Sequence, residues 1–141
     1  MRTRIVSLVL TLIAAVAAFT VITGCGSNAT LEKYFQDHPD EWSDVEDELK
    51  DMGGEMFTVD LSVKDNQITQ IMTYKETFDA DSVAQMKEYF TNNEAALREE
   101  IVQSIATIEK QASISGVTWL MQYNNGDGTE IFSLTIDNKQ S

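Results

Sequence analysis

Phe57-Thr58-Val59-Asp60-Leu61-Ser62-Val63-Lys64-Asp65-Asn66-Gln67-Ile68-Thr69-Gln70-Ile71-Met72-Thr73-Tyr74 is the stretch that decides the fold. Phe57, Val59, Leu61 and Val63 alternate with Thr58, Asp60, Ser62 and Lys64, so one face of an extended segment is apolar and the other polar. Asp65-Asn66 is a two-residue turn, and the return strand runs from Gln67 to about Thr77. The turn fixes the register. Val63 faces Ile68, Val59 faces Met72, Phe57 faces Tyr74, and Leu61 faces a polar guest, Gln70.

Upstream of this hairpin the pattern is helical. Thr30 is an N-cap for Leu31-Glu32-Lys33-Tyr34-Phe35, and Asp37-His38-Pro39 interrupts, since Pro39 disfavours a helical His38 but suits the first position of a new helix. Trp42, Val45, Leu49 and Met52 then form an apolar stripe at helical spacing, ended by Gly53-Gly54. Downstream, Asp81 or Ser82 caps a helix carrying Val83, Met86, Tyr89 and Phe90. Asn92-Asn93-Glu94 breaks it, and Leu97, Ile101, Ile105, Ile108 and Ala112 continue the stripe. After Ser115-Gly116, Val117, Trp119, Met121 and Tyr123 alternate as a third strand, Asn125-Gly126-Asp127-Gly128 turns it, and Phe132, Leu134 and Ile136 mark a fourth.

The two halves resemble each other. Leu31-Glu32-Lys33-Tyr34-Phe35 matches Met86-Lys87-Glu88-Tyr89-Phe90, each followed by a helix break and then a hairpin. A hairpin with one helix is a poor independent fold. The expectation is therefore one α+β domain over residues 30–141, built from two α-β-β repeats at about 30–78 and 79–138. Their hairpins join as a four-stranded antiparallel sheet, with two broken helices packed on one face.

The amino terminus carries an address. Arg2 and Arg4 precede an uncharged run from Ile5, which closes on Val21-Ile22-Thr23-Gly24-Cys25. Branched apolar, small polar, Gly, Cys is the lipobox pattern of bacterial lipoproteins, which implies a signal peptide over 1–24, cleavage between Gly24 and Cys25, and diacylglycerol on Cys25. The run also approaches the length of a membrane span, so an uncleaved anchor is the competing reading. The basic start, the small residues before the cut and the placing of the chain's single Cys favour lipidation. Residues 25–29 then form a short tether that holds the domain within about 15 Å of the bilayer.

Charge and composition narrow the partners. The chain has 10 basic and 23 acidic residues, and loss of Arg2 and Arg4 with the leader deepens its net charge from −13 to −15. That balance disfavours nucleic acid and flat adsorption on an anionic leaflet. With Cys25 acylated, no thiol is left for a disulfide, a metal or a nucleophile, and one histidine leaves little room for a zinc site or a Ser-His pair. No cofactor is expected beyond the covalent lipid.

Three clusters bear on chemistry. Asp37, His38, Asp40 and Glu41 gather hard oxygens and an imidazole at a helix start, where a divalent cation fits but the helix dipole alone also favours acids. Asn124, Asp127 and Glu130 flank two glycines, faintly like a calcium loop, although a hairpin turn explains the glycines without a metal. Glu99-Glu100 and Glu46-Asp47-Glu48 are carboxylate runs on exposed helix faces. None is assigned as a catalytic or metal site. The favoured surface is the second face of the sheet, rich in Thr and Ser, on which Ile71, Leu120 and Ile131 are the exposed apolar residues.

Tyr34 with the Pro39 break, Met52-Gly53-Gly54, Thr73-Tyr74-Lys75-Glu76-Thr77-Phe78, Ile114-Ser115-Gly116-Val117-Thr118 and Asn125-Gly126-Asp127-Gly128-Thr129-Glu130-Ile131-Phe132 carry a resemblance. Together they are similar to a family of small Gram-positive lipoproteins, domain of unknown function 4854. The resemblance implies attachment to the outer face of a cell with one membrane and brings no activity with it. The functional expectation is a non-enzymatic interaction module that engages a protein, a peptide or an envelope polymer through the open sheet face or edge strands. The alternatives are a cation-assisted hydrolase using Asp37, His38 and Glu41, and an immunity or inhibitor lipoprotein.

Overall fold

The computed structural model describes residues 30–139; the expected signal peptide over 1–24, the expected cut between Gly24 and Cys25 and the expected tether lie outside the described residues. Helix α1 (Leu31–Asp37) and helix α2 (Pro39–Gly53) lead into strand β1 (Phe57–Lys64) and strand β2 (Gln67–Tyr74). Helix α3 (Ala80–Asn92) and helix α4 (Glu94–Ala112) lead into strand β3 (Thr118–Asn124) and strand β4 (Glu130–Asp137). The order is thus helix pair, hairpin, helix pair, hairpin, in one α+β unit. Among the described residues no helix is long and apolar enough to cross a membrane.

Local chemistry sets the breaks. Thr30 Oγ1 accepts the Lys33 N–H at 3.2 Å and caps α1, and Pro39 opens α2 directly after His38. The α3 cap falls earlier than the sequence pattern suggests: Asp79 Oδ1, not Asp81 or Ser82, accepts the Ser82 N–H at 2.8 Å. Asn93 both ends α3 and starts α4, and its Nδ2 donates to the Tyr89 carbonyl at 2.7 Å.

The β1–β2 register matches the alternation residue for residue, with Val63 opposite Ile68, Leu61 opposite Gln70, Val59 opposite Met72 and Phe57 opposite Tyr74. All helices lie against one face. Phe57, Val59, Ile68, Met72, Trp119, Met121, Tyr123, Leu134 and Ile136 meet Leu31, Leu49, Met86, Phe90, Leu97, Ile101, Ile105 and Ile108 in a single core. Gln70, 4 % exposed, is accommodated there because its Oε1 accepts the Trp119 indole N–H at 3.1 Å and its Nε2 reaches Met72 Sδ.

The sheet order is β1-β2-β3-β4, and the central pair β2–β3 is parallel where an antiparallel joint was expected. The cause is where α4 delivers the chain. Asn66 Nδ2 donates to the Ser115 carbonyl, and the Thr118 N–H donates to the Asn66 carbonyl at 2.9 Å, so β3 starts beside the start of β2 and must run with it. The α3–α4 pair is a helical crossover of the kind that parallel strands require. One consequence concerns the repeat. Seen from the open face with its first strand pointing up, each hairpin places its second strand on the opposite side. The halves at about 30–78 and 79–138 share an element order but not a hand, and no rotation superimposes them.

Candidate functional site

Asp37, His38 and Glu41 are engaged in holding the α1–α2 junction. Asp37 pairs with Lys33 one helical turn back, Glu41 Oε2 accepts the Tyr34 hydroxyl at 2.7 Å, and His38 Nδ1 lies 2.8 Å from the Tyr34 carbonyl with its ring stacked on Tyr34 at 4.4 Å. Burial and the bond to Glu41 push the Tyr34 hydroxyl up to about 12. These contacts bend α1 into α2. Among the described residues no three His, Cys, Asp or Glu side chains are grouped to hold a metal ion.

Asn124 stands opposite Glu130 across the β3–β4 pair, but the side chains of Asn124, Asp127 and Glu130 bond elsewhere: Asn124 Oδ1 accepts from Gln122 Nε2 at 2.9 Å. Asp127 Oδ1 accepts from the Thr129 hydroxyl and N–H, which holds its carboxyl below the usual range, while Glu130 Oε1 accepts from Ser133 Oγ. Asn125, beside them, is the residue that matters. It is 4 % exposed; its Oδ1 accepts the N–H of Phe78 and of Gly126, each at 2.9 Å, and its Nδ2 donates to the Phe78 carbonyl at 3.0 Å. One side chain therefore clasps the loop after β2. Asn66 does the same at the other end, where its Oδ1 accepts the Leu31 N–H at 2.9 Å.

Of the three apolar residues expected on the open face, Ile71 and Leu120 are half-buried there. Ile131 is not on the surface. It is the extra residue of a bulge where the register shifts at Tyr123/Asn124, and it is 2 % exposed. The Thr58, Thr69, Thr73 and Thr118 positions around Ile71 and Leu120 are polar and uncharged, so this face lacks an apolar patch of consequence.

The edge of the sheet is more informative. The Lys75 N–H donates to the Met56 carbonyl at 2.9 Å, and these residues continue the register of Tyr74 opposite Phe57. Hydrogen-bonded pairs alternate along an antiparallel ladder, so Thr58, Asp60, Ser62 and Lys64 bond to β2. Val59, Leu61 and Val63 then aim their N–H and C=O groups away from the sheet. The Thr118–Asn66 bond independently agrees, since it turns the even-numbered residues of β2 toward β3. Strand β1 is an edge strand, and among the described residues no further backbone bond engages Val59, Leu61 or Val63.

Beside this edge lies an open groove of about 350 Å³, lined by Glu32, Phe35, Gln36, Trp42, Leu61, Ser62 and Val63. Trp42, Leu61 and Val63 pack on the core yet stay half-exposed. The opposite edge is finished differently: Arg98 Nη1 donates to the outward Thr135 carbonyl of β4 at 3.3 Å. Unsatisfied backbone next to an apolar trough is what an added strand uses, its main chain bonding the edge and alternate side chains entering the trough. Trp42 belongs to the apolar stripe of α2, whose spacing alone does not show that its first member stays half-exposed. Leu61 opposite polar Gln70 was the available hint that this end of the inner face is not sealed.

No curated protein and no solved structure matches the chain. A family profile does, over residues 31–136, which spans every helix and strand from α1 to β4 except the last residue of β4. The motifs expected to carry that likeness are the Pro39 break, the Met52-Gly53-Gly54 cap and the turns, all of which position elements. The chain belongs to the family described as domain of unknown function DUF4854.

Proposed function

We propose that this protein is a non-enzymatic, lipid-anchored interaction module on the outer face of the cell membrane, which holds an extended polypeptide segment along strand β1. The observation that carries the reading is the pairing of the open Leu61–Val63 edge with the groove formed by Phe35, Trp42, Leu61 and Val63. Strand addition draws affinity from backbone hydrogen bonds and needs no assembled catalytic group. The lipobox at Val21–Cys25 supports the anchor. Two acyl chains hold a protein at a membrane where one is marginal, at about 0.8 kcal/mol per buried CH₂.

The test is a photo-crosslinking amino acid in place of Leu61 in the full chain, illuminated in intact membranes. The expected result is a polypeptide adduct that disappears with Val63→Pro, a substitution that removes an outward N–H not used by β2. Adducts unaffected by Val63→Pro, or none, refute the reading. Mass spectrometry of the native N-terminus tests the anchor: a diacylglyceryl Cys25 is expected, and a free thiol contradicts it.

A further inference from the structure

We infer that the segment received by β1 is β1 of a second copy of this chain, paired antiparallel about Ser62; the inference rests on the strand-addition reading above. The strand is complementary to itself. Asp60 and Lys64 both point to the open face, both are exposed, and neither side chain has an ion-pair or hydrogen-bond partner among the described residues. Within its own sheet Asp60 stands opposite Ile71 and Lys64 opposite Gln67, so the charges find no counterpart across β2. An antiparallel second copy centred on Ser62 sets Asp60 against Lys64 of the other copy, and Lys64 against its Asp60.

The same register satisfies the backbone. It pairs Leu61 with Val63 of the second copy and Val63 with its Leu61, and these are residues whose N–H and C=O groups face outward. Asp60 against Lys64 and Ser62 against Ser62 become the non-hydrogen-bonded pairs, whose side chains approach most closely. A register shifted by one residue would oppose an outward group to an inward one. A shift by two would separate the charges.

Packing selects the same centre. The end of α2 lies tight on the first half of β1, where a Cβ on Gly53 would come 2.9 Å from Val59 Cγ2. The accessible half is Leu61 to Val63, and Ser62 is its middle. In the pair the two grooves adjoin across the two-fold axis, and each Leu61 meets the other copy's Val63 beside Trp42. Such a short joint buries less than the roughly 1,000 Å² of a stable free dimer. Anchoring both copies in one membrane supplies the effective concentration that the interface lacks.

The experiment uses the full chain in bacterial membranes and mild oxidation. In the inferred register Ser62→Cys brings two Cα atoms to about 4.5 Å, inside the range for a disulfide. Thr58→Cys leaves them about 27 Å apart, eight residues of extended strand. Disulfide dimer is expected to form about tenfold or more faster with Ser62→Cys than with Thr58→Cys or the unsubstituted chain. Adding Lys64→Glu to Ser62→Cys slows it several-fold, and Asp60→Lys with Lys64→Asp restores it. Ser62→Cys reacting no faster than Thr58→Cys overturns the inference. In that event an adduct from position 61 to a different polypeptide leaves strand addition standing and only self-pairing fails. Absence of any adduct removes both.

Discussion

Asn125→Ala is the substitution that most sharply tests how the two halves are held together. The side chain is 4 % exposed and makes three hydrogen bonds, two to the backbone of Phe78 and one to the Gly126 N–H. Truncation leaves the Phe78 N–H and C=O without partners in a half-buried loop and opens a small void. Counting about 1 kcal/mol for each of the two orphaned Phe78 groups, with up to as much again for the Gly126 bond and lost packing, gives roughly 2–4 kcal/mol. For a domain of this length that is a fall in Tm of about 7–15 °C. Thermal and urea melts read it, with Asn138→Ala as control, since its bond to Glu109 is exposed and its loss is expected to cost less than about 1 kcal/mol. A Tm for Asn125→Ala within about 2 °C of the parent would refute the clasp, because no surface polar contact explains so small a change at a buried site.

Gly126→Ala probes the same contact sterically. An added Cβ would lie 2.6 Å from the carbonyl carbon and oxygen of Glu76, and both are backbone, so a loss of about 1–3 kcal/mol is expected in urea melts. Alkali should act through buried phenols. Burial raises the Tyr74 hydroxyl to about 12 and raises Tyr123 as well, and Tyr34 is raised to about 12 by burial and by Glu41. Because these folded values stand above the usual tyrosine value near 10, their stabilisation is complete below about pH 10 and is lost as pH rises toward 12. Absorbance at 295 nm is expected to show these tyrosines ionising late and together with loss of near-ultraviolet circular dichroism; ionisation of all of them near pH 10 in a still-folded chain would contradict their burial.

The strands were legible because their alternation is regular and their turn is two residues long. Phe57, Val59 and Met72 could occupy one face only in one register, and Trp119, Met121 and Tyr123 repeat the pattern in β3. The helix breaks were legible from Pro39 and Asn93, residues with local conformational demands. Strand order was not. Alternation says which face a residue takes but nothing about which strand lies beside it, and the parallel β2–β3 joint depends on Asn66 meeting Ser115 and Thr118 across the fold. Because the edges follow from the order, the exposed backbone of β1 was hidden in the same way. Ile131 was misplaced for a related reason: period-two counting back from Phe132 puts it on the open face, whereas at the bulge Ile131 and Phe132 are buried one after the other. The acidic groups near His38 read as possible ligands since the sequence cannot show that Tyr34 and Lys33 already occupy Glu41 and Asp37.

Amide hydrogen exchange along β1, followed residue by residue on the chain dilute in solution and on the lipid-anchored chain crowded in one membrane, addresses the central claim most directly. An edge that is open yet able to receive a strand predicts slow exchange at Asp60 and Ser62 under both conditions. Leu61 and Val63 exchange fast in dilute solution and become protected on the crowded membrane. Uniform protection along the strand in dilute solution, or Leu61 and Val63 amides that stay equally exposed on the crowded membrane, would contradict it.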